Sequence, residues 1–169
     1  MNEVVVLIGA GSIGRAIARR VAAGRTIYVA DLCSEAAEQA AESLRSDGYE
    51  VQTGTVDVSD AESVARAAAD ASQLGDISHV IQAAGVSPVQ ASPQQIVAVD
   101  LVGTALVLEE FGKVVASGGA GIVISSQAGH MIPPLDAETN RALAWTPASE
   151  LAALPMLTAI DGSGYAWPG

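Results

Sequence analysis

The chain has little of what several functions require. It contains one cysteine, Cys33, so an internal disulfide is excluded. With only two histidines beside it, a structural zinc site is not expected. Basic residues are scarce: eight Lys and Arg stand against nineteen Asp and Glu, a net charge of −11. Lys113 is the only lysine. Binding along a phosphate backbone needs clustered cations, so no nucleic-acid partner is expected. No apolar run approaches the roughly 20 residues that a spanning helix needs, and no membrane partner is expected. No secretory leader is read, because the apolar run at 4–10 is short and follows Glu3 instead of a basic stretch. The expected location is the cytoplasm.

What is present is material for a core. Half of the 169 residues are hydrophobic, 32 are Ala and 17 are Gly. Mean hydropathy is +0.35, which excludes a disordered chain. A single domain of this size buries roughly 68–70% of the surface its unfolded chain exposes.

Strand-like and helix-like stretches alternate along the chain. Runs rich in β-branched residues predict strands at 3–8, 26–30, within 50–58, at 77–82 and at 121–124. Ile13, Ile17 and Val21 fall four apart and predict a helix over 12–23 with that stripe inward. The Ala- and Glu-rich stretch 34–46 predicts a second helix. Ser59-Asp60-Ala61-Glu62 reads as a capping box opening a third, and Ser92-Pro93-Gln94-Gln95 as one opening a fourth. On that fourth helix Gly103 marks a close packing point. This alternation predicts an α/β fold. We expect a doubly wound parallel sheet of five strands in the order 3-2-1-4-5, the Rossmann arrangement. Residues 1–129 form the expected Rossmann domain. Residues 130–169 are read as a Pro-rich insertion and tail of the same domain, with one short helix over 147–154 capped by Thr146 and stopped by Pro155.

The strongest local signal is Gly9-Ala10-Gly11-Ser12-Ile13-Gly14, a G-x-G-x-x-G loop between a strand and a helix. Gly9 permits the tight turn, Gly11 lets a pyrophosphate approach the backbone, and Gly14 lets helix and strand close up. Ser12 and Ile13 complete the loop and are grouped with the cofactor site. Asp31 lies 22 residues after Gly9, at the end of the second strand. An acid there accepts hydrogen bonds from the adenosine ribose and repels a 2′-phosphate, which favours NAD over NADP. Leu32 is counted with it. Alternatively, the glycines serve only a structural turn. Asp57-Val58, Ala83-Ala84-Gly85 and Ser125-Ser126 end the next three strands, where a doubly wound sheet binds ligands.

Taken together, these residues resemble the short-chain dehydrogenase/reductase family from Glu3 to about Gly129, and again at Tyr165. Gly9, Gly11 and Gly14 are similar to its cofactor loop, although the spacing is shorter and Ile8 stands where Thr is usual. Asp31 matches the acid of NAD-preferring members, and Asp57-Val58 the adenine-contacting pair. Ala84-Gly85 match the end of N-A-G, with Ala83 in place of Asn. Asp100-Leu101-Val102-Gly103 resembles N-x-x-G, with Asp100 replacing the Asn that helps hold a proton-relay water. Ile124 to Gly129 resembles I-S-S-x-x-G and makes Ser126 the match to the catalytic serine, which orients the substrate oxygen. The resemblance implies an NAD(H)-dependent oxidoreductase of a small alcohol or ketone, working as a homo-oligomer.

The catalytic pair departs from the pattern. The family places its Tyr near what is position 139 here, where Thr139 and Asn140 stand. The next Tyr is Tyr165, 39 residues after Ser126, as in members with a Pro-rich insertion. Four residues further, where the resemblance calls for Lys, stands Gly169. The ending reads as truncated or frame-shifted. A phenol ordinarily titrates near about 10, so Tyr165 without its Lys is expected to be a poor base at neutral pH. Two other readings stay open: a non-catalytic dinucleotide-binding or interaction fragment, and a methyltransferase of related fold. Cys33, His79, Trp145 and Trp167 are read as packing or structural residues. His130 is a candidate to line a substrate pocket, and the acids on the second and third helices are read as a solvated face.

Overall fold

The computed structural model describes residues 2–131 and 133–158. Five strands, β1 (Glu3–Ile8), β2 (Thr26–Asp31), β3 (Glu50–Thr55), β4 (Asp76–Gln82) and β5 (Val115–Val123), form one parallel sheet. Their order is β3-β2-β1-β4-β5, as the sequence pattern predicts. β1 is central, and Val4 through Ile8 are fully buried. A central parallel strand is covered on both faces, so it reads as an unbroken apolar run.

Helices α1 (Ser12–Val21) and α2 (Ser34–Ser46) cover one face, and α3 (Ala61–Leu74) the other. On the first, Leu7, Ile27 and Ile81 meet Ala18, Ala41 and Leu44. On the second, Val6 and Ile8 meet Val64, Ala68, Leu106 and Phe111. The abundant alanines sit at these contacts, where a short side chain lets a helix lie close to the sheet. The acids of α2 and α3, such as Glu38, Glu42 and Glu62, face solvent as expected.

The fourth helix is wound in three parts. α4 (Pro93–Ile96) opens with the expected capping box: Ser92 Oγ accepts the Gln95 N–H, and Gln95 Oε1 accepts the Ser92 N–H at 2.9 Å. The backbone then widens into a π-helical segment, Val97–Gly103, before tightening into α5 (Thr104–Gly112). Gly103 is the predicted packing point. A Cβ there would lie 2.9 Å from Val58 Cγ2.

Several local expectations are corrected. Of the apolar stripe on α1, Ile17 and Val21 pack against the core but Ile13 is 60% exposed, and the buried positions are Gly14 and Ala18. α3 is capped by Asp60, whose carboxylate accepts the Glu62 N–H at 3.1 Å. Ser59 instead gives its N–H and hydroxyl to Asp57 Oδ1. β5 begins six residues earlier than expected. Its register against β4 slips between Ile77↔Val115 and His79↔Ala120, and the Ser-Gly-Gly run absorbs the slip, with Gly118 at φ +83°.

Past β5, a 3-10 turn (Gln127–His130) leads to α6 (Ala137–Trp145), α7 (Ala148–Leu151) and α8 (Pro155–Thr158). α6 was not foreseen, and the single helix expected over 147–154 is a shorter one capped at Pro147 rather than Thr146. Pro155 begins the next helix instead of only ending one, because a first-turn proline forfeits no intrahelical bond. α7 packs on α5, with Leu151 buried and the Ala148 N–H donated to Glu109 Oε1 at 2.9 Å. Trp145 is not a packing residue, being 83% exposed. Trp167 and Tyr165 lie outside the described residues.

Candidate dinucleotide site

The turn from β1 into α1 is held from two sides. Gly9 has φ +92°, a region that glycine enters without strain, and its N–H donates to Ala30 O at 2.8 Å. No side chain fits there, since a Cβ would stand 2.5 Å from Ala84 N. Gly14 is also closely packed, with the side-chain end Leu7 Cδ1 2.5 Å from the place of its missing Cβ. Gly11 is the opposite case. Nothing lies within 4 Å of where its Cβ would be. α1 starts there without a side-chain cap and without an acid in its first turn. Its leading N–H groups and positive dipole end are therefore left for an anion.

Asp31 closes β2 beside this turn. One carboxylate oxygen accepts the Ala10 N–H at 2.8 Å, the other the Cys33 N–H at 3.0 Å. Each oxygen has lone pairs in reserve for a further donor. Cys33 is exposed rather than packed, and its thiol donates to Glu35 Oε2 at 3.2 Å. At the end of β3, Asp57 is fixed by its own N–H donating to Ser63 Oγ at 3.0 Å and by Ser59 on its Oδ1.

These strand ends surround a cavity of about 350 Å³. Gly9, Gly11, Asp31, Leu32, Asp57, Val58, Ala83, Ala84 and Gly85 all border it; Ser12, Ile13 and Gly14 do not. Val56, Val86 and Val99 also line the cavity and were missed. Each is an apolar residue next to a residue that was singled out, so nothing in its type separates it from core.

Asp100 sits on the π-helical segment behind this cavity. Its Oδ1 accepts the Val86 N–H at 2.9 Å. Partial burial pushes its carboxyl above the usual carboxylate range, and the Val86 N–H opposes that shift. Ser126 is exposed just past β5, where its Oγ accepts the Ala128 N–H at 3.1 Å and caps the 3-10 turn. Neither Ser126 nor His130, which is also exposed, borders the cavity. Lys113 follows α5 and pairs with Glu110 Oε1 at 2.7 Å. No cluster of three potential metal ligands occurs among the described residues, nor is any described helix long and apolar enough to cross a membrane.

A parallel sheet in this order, with a glycine turn, an uncapped helix start and an acid after β2, is the Rossmann arrangement. The short chain dehydrogenase family model matches residues 3–137. The chain is 38% identical over 163 residues to the short-chain dehydrogenase/reductase bsc3 of Alternaria brassicicola, covering 95% of this chain and 60% of that protein. A short chain dehydrogenase/reductase from Burkholderia phymatum, solved in complex with NAD, is similar with a TM-score of 0.69 and 26% identity, over 85% of this chain and 56% of its own. An alcohol dehydrogenase from Thermococcus sibiricus complexed with 5-hydroxy-NADP gives a TM-score of 0.67 and 26% identity, over 79% and 62%. The chain belongs to the short-chain dehydrogenase/reductase family, oxidoreductases that use NAD or NADP. It spans about three-fifths of the length of its Alternaria relative.

Proposed function

We propose that this chain is the dinucleotide-binding part of an oxidoreductase that prefers NAD(H) and acts on a small alcohol or ketone. The observation that carries the preference is the fixed carboxylate of Asp31 at the cavity edge. Held by two backbone N–H groups, it cannot swing away from an arriving 2′-phosphate, and it accepts from the hydroxyls of an unmodified ribose. Of Arg15 and Arg19, the two arginines of α1 that could meet such a phosphate, Arg19 is engaged with Asp47 and Ser43. In this reading Gly11 and the start of α1 take the pyrophosphate, Asp57 and Val58 border the adenine, and Ala83 to Gly85 border the second half of the dinucleotide. The bound cofactor supplies the hydride acceptor or donor.

Ser126 is proposed to orient the substrate oxygen, and Tyr165 to exchange its proton. Gly169 stands four residues after Tyr165, where the resemblance calls for the Lys that would stabilise a phenolate, and the one lysine, Lys113, pairs with Glu110. Turnover by these residues alone is therefore proposed to be weak, and that same pair of facts favours the second reading, a cofactor-binding chain without redox turnover. Self-association is proposed because β5 has an unpaired outer edge among the described residues.

Calorimetric titration of the 169-residue chain with NAD, NADP and S-adenosylmethionine tests the first reading. NAD is expected to bind tightest. Tighter binding of S-adenosylmethionine would overturn the assignment, and tighter binding of NADP would overturn the role of Asp31. Alcohol-dependent formation of NADH at a rate typical of a dehydrogenase would remove the second reading.

A further inference from the structure

Asp100 replaces the Asn that the family resemblance calls for, and its surroundings give the change a consequence. Its Oδ1 holds the Val86 N–H at 2.9 Å and lies 3.3 Å from the position of a Cβ on Gly85. Gly85, Val86 and the neighbouring Val99 line the cavity. Asp100 thus stands one residue layer behind the cavity wall on the β4 side. Asp31 lies on the β2 side of the same cavity. A dinucleotide whose ribose is held at β2 crosses the point where strand order reverses, and its other half lies toward β4. The oxidised and reduced forms of that half differ by one positive charge on the nicotinamide ring.

We infer that Asp100 sets a preference between the two redox states of the cofactor: its carboxylate, fixed behind the Gly85–Val86 wall, favours the oxidised, cationic form. The inference rests on the dinucleotide reading above. An Asn in the same place would still accept the Val86 N–H but would carry no charge. Partial burial strengthens the effect, because a charge screened from water acts over a longer distance. Asp100 is partly buried, and its Oδ1 accepts the Val86 N–H. The lysine nearest in sequence, Lys113, is neutralised by Glu110. A cationic ring arriving on the far side of the wall favours the ionised carboxyl, so binding and ionisation reinforce each other.

The test is calorimetric titration of the full chain and of Asp100→Asn with NAD and with NADH at neutral pH. The wild-type chain is expected to favour NAD over NADH more strongly than the variant does. The ratio of the two Kd values should change by about three- to tenfold, the range for a unit charge several ångströms away across partly screened protein. The change should come chiefly from weaker NAD binding. Asp100→Ser, which keeps a small acceptor without charge, repeats the measurement if the Asn variant does not fold. An unchanged ratio in a variant that still binds both forms overturns the role of Asp100 and leaves the dinucleotide reading standing. Binding of neither form by the wild-type chain overturns that reading, and the inference falls with it.

Discussion

Asp31, the last residue of β2, holds the glycine turn after β1 through the Ala10 N–H at 2.8 Å. The acid expected to read the ribose is thus also a fastener for the loop expected to take the phosphates. Asp31→Ala should act twice. The preference for NAD over NADP should narrow by on the order of tenfold, and the loss of two charge-assisted hydrogen bonds should cost about 1–2 kcal/mol of stability. Asp31→Asn keeps an acceptor for one N–H and should recover much of the stability while the NAD preference stays reduced. Parallel melting curves and binding titrations separate the two effects. Equal NAD/NADP ratios in the wild type and both variants would remove Asp31 from the ribose site.

Gly11 and Gly14 have opposite surroundings and predict opposite behaviour. At Gly14 an added methyl meets Leu7 Cδ1 at 2.5 Å inside the packed face of α1, so Gly14→Ala should destabilise the fold by about 1–3 kcal/mol. At Gly11 the methyl meets nothing within 4 Å. Gly11→Ala should therefore melt within about 1 kcal/mol of the wild type while losing dinucleotide affinity, because the methyl fills the approach to the uncapped helix start. Retained affinity for NAD in Gly11→Ala would mean that the phosphates do not use this approach.

The sheet was legible in the sequence wherever a local rule and the tertiary environment agree. β1 is a case: Val4 to Ile8 are apolar because both faces are covered. The Ser92–Gln95 capping box is another, being a signal contained in four residues. The misses arise where a distant partner decides. Ser-Gly-Gly in β5 carries no strand signal, yet β4 pulls it into the sheet with a slipped register. Ile13 completes an apolar stripe, but Gly14 is what permits α1 to approach Leu7, and the helix turns accordingly. The π-helical turn at Val97–Gly103 has no composition of its own. Gly9 and Gly11, Asp31 and the residues ending β3 and β4 were readable as a candidate site because topology alone brings strand ends together, whereas Ser12, Ile13 and Gly14 lie off the cavity. Val56, Val86 and Val99 were not, because a valine lining a cavity and a valine in a core are the same residue.

The cap of α6 predicts a local response to acid. Asp136 accepts the Thr139 N–H at 2.7 Å, and backbone and side-chain hydrogen bonds from Thr139 hold its carboxyl below the usual range. A carboxyl with a lowered folded pKa contributes stability that is present above its unfolded pKa and lost as pH falls through the folded value. Hydrogen exchange of the first-turn amides of α6 should therefore accelerate as pH drops below the ordinary carboxylate range, after correction for the intrinsic rate. Asp136→Ala should show that faster exchange already at neutral pH. Protection of Thr139 and Asn140 that is the same in both proteins would remove Asp136 as the cap.

Asp100 predicts a pH dependence of the opposite sign. Burial raises its folded pKa above the unfolded one, and the Val86 N–H only partly offsets this. Between the two values the folded chain holds a proton that the unfolded chain has released. Stability from this group is therefore present at low pH and declines as pH rises through and just above the ordinary carboxylate range. Asp100→Asn removes that decline while keeping an acceptor for the Val86 N–H. The stability of the variant relative to the wild type should grow with pH across this window and level off above it, once the wild-type carboxyl is ionised in both states. Denaturant titrations at closely spaced pH values measure the difference. A variant whose relative stability is flat across the window would show that the carboxyl is as well solvated in the folded chain as in the unfolded one, and would leave Asp100 too exposed to act through the Gly85–Val86 wall.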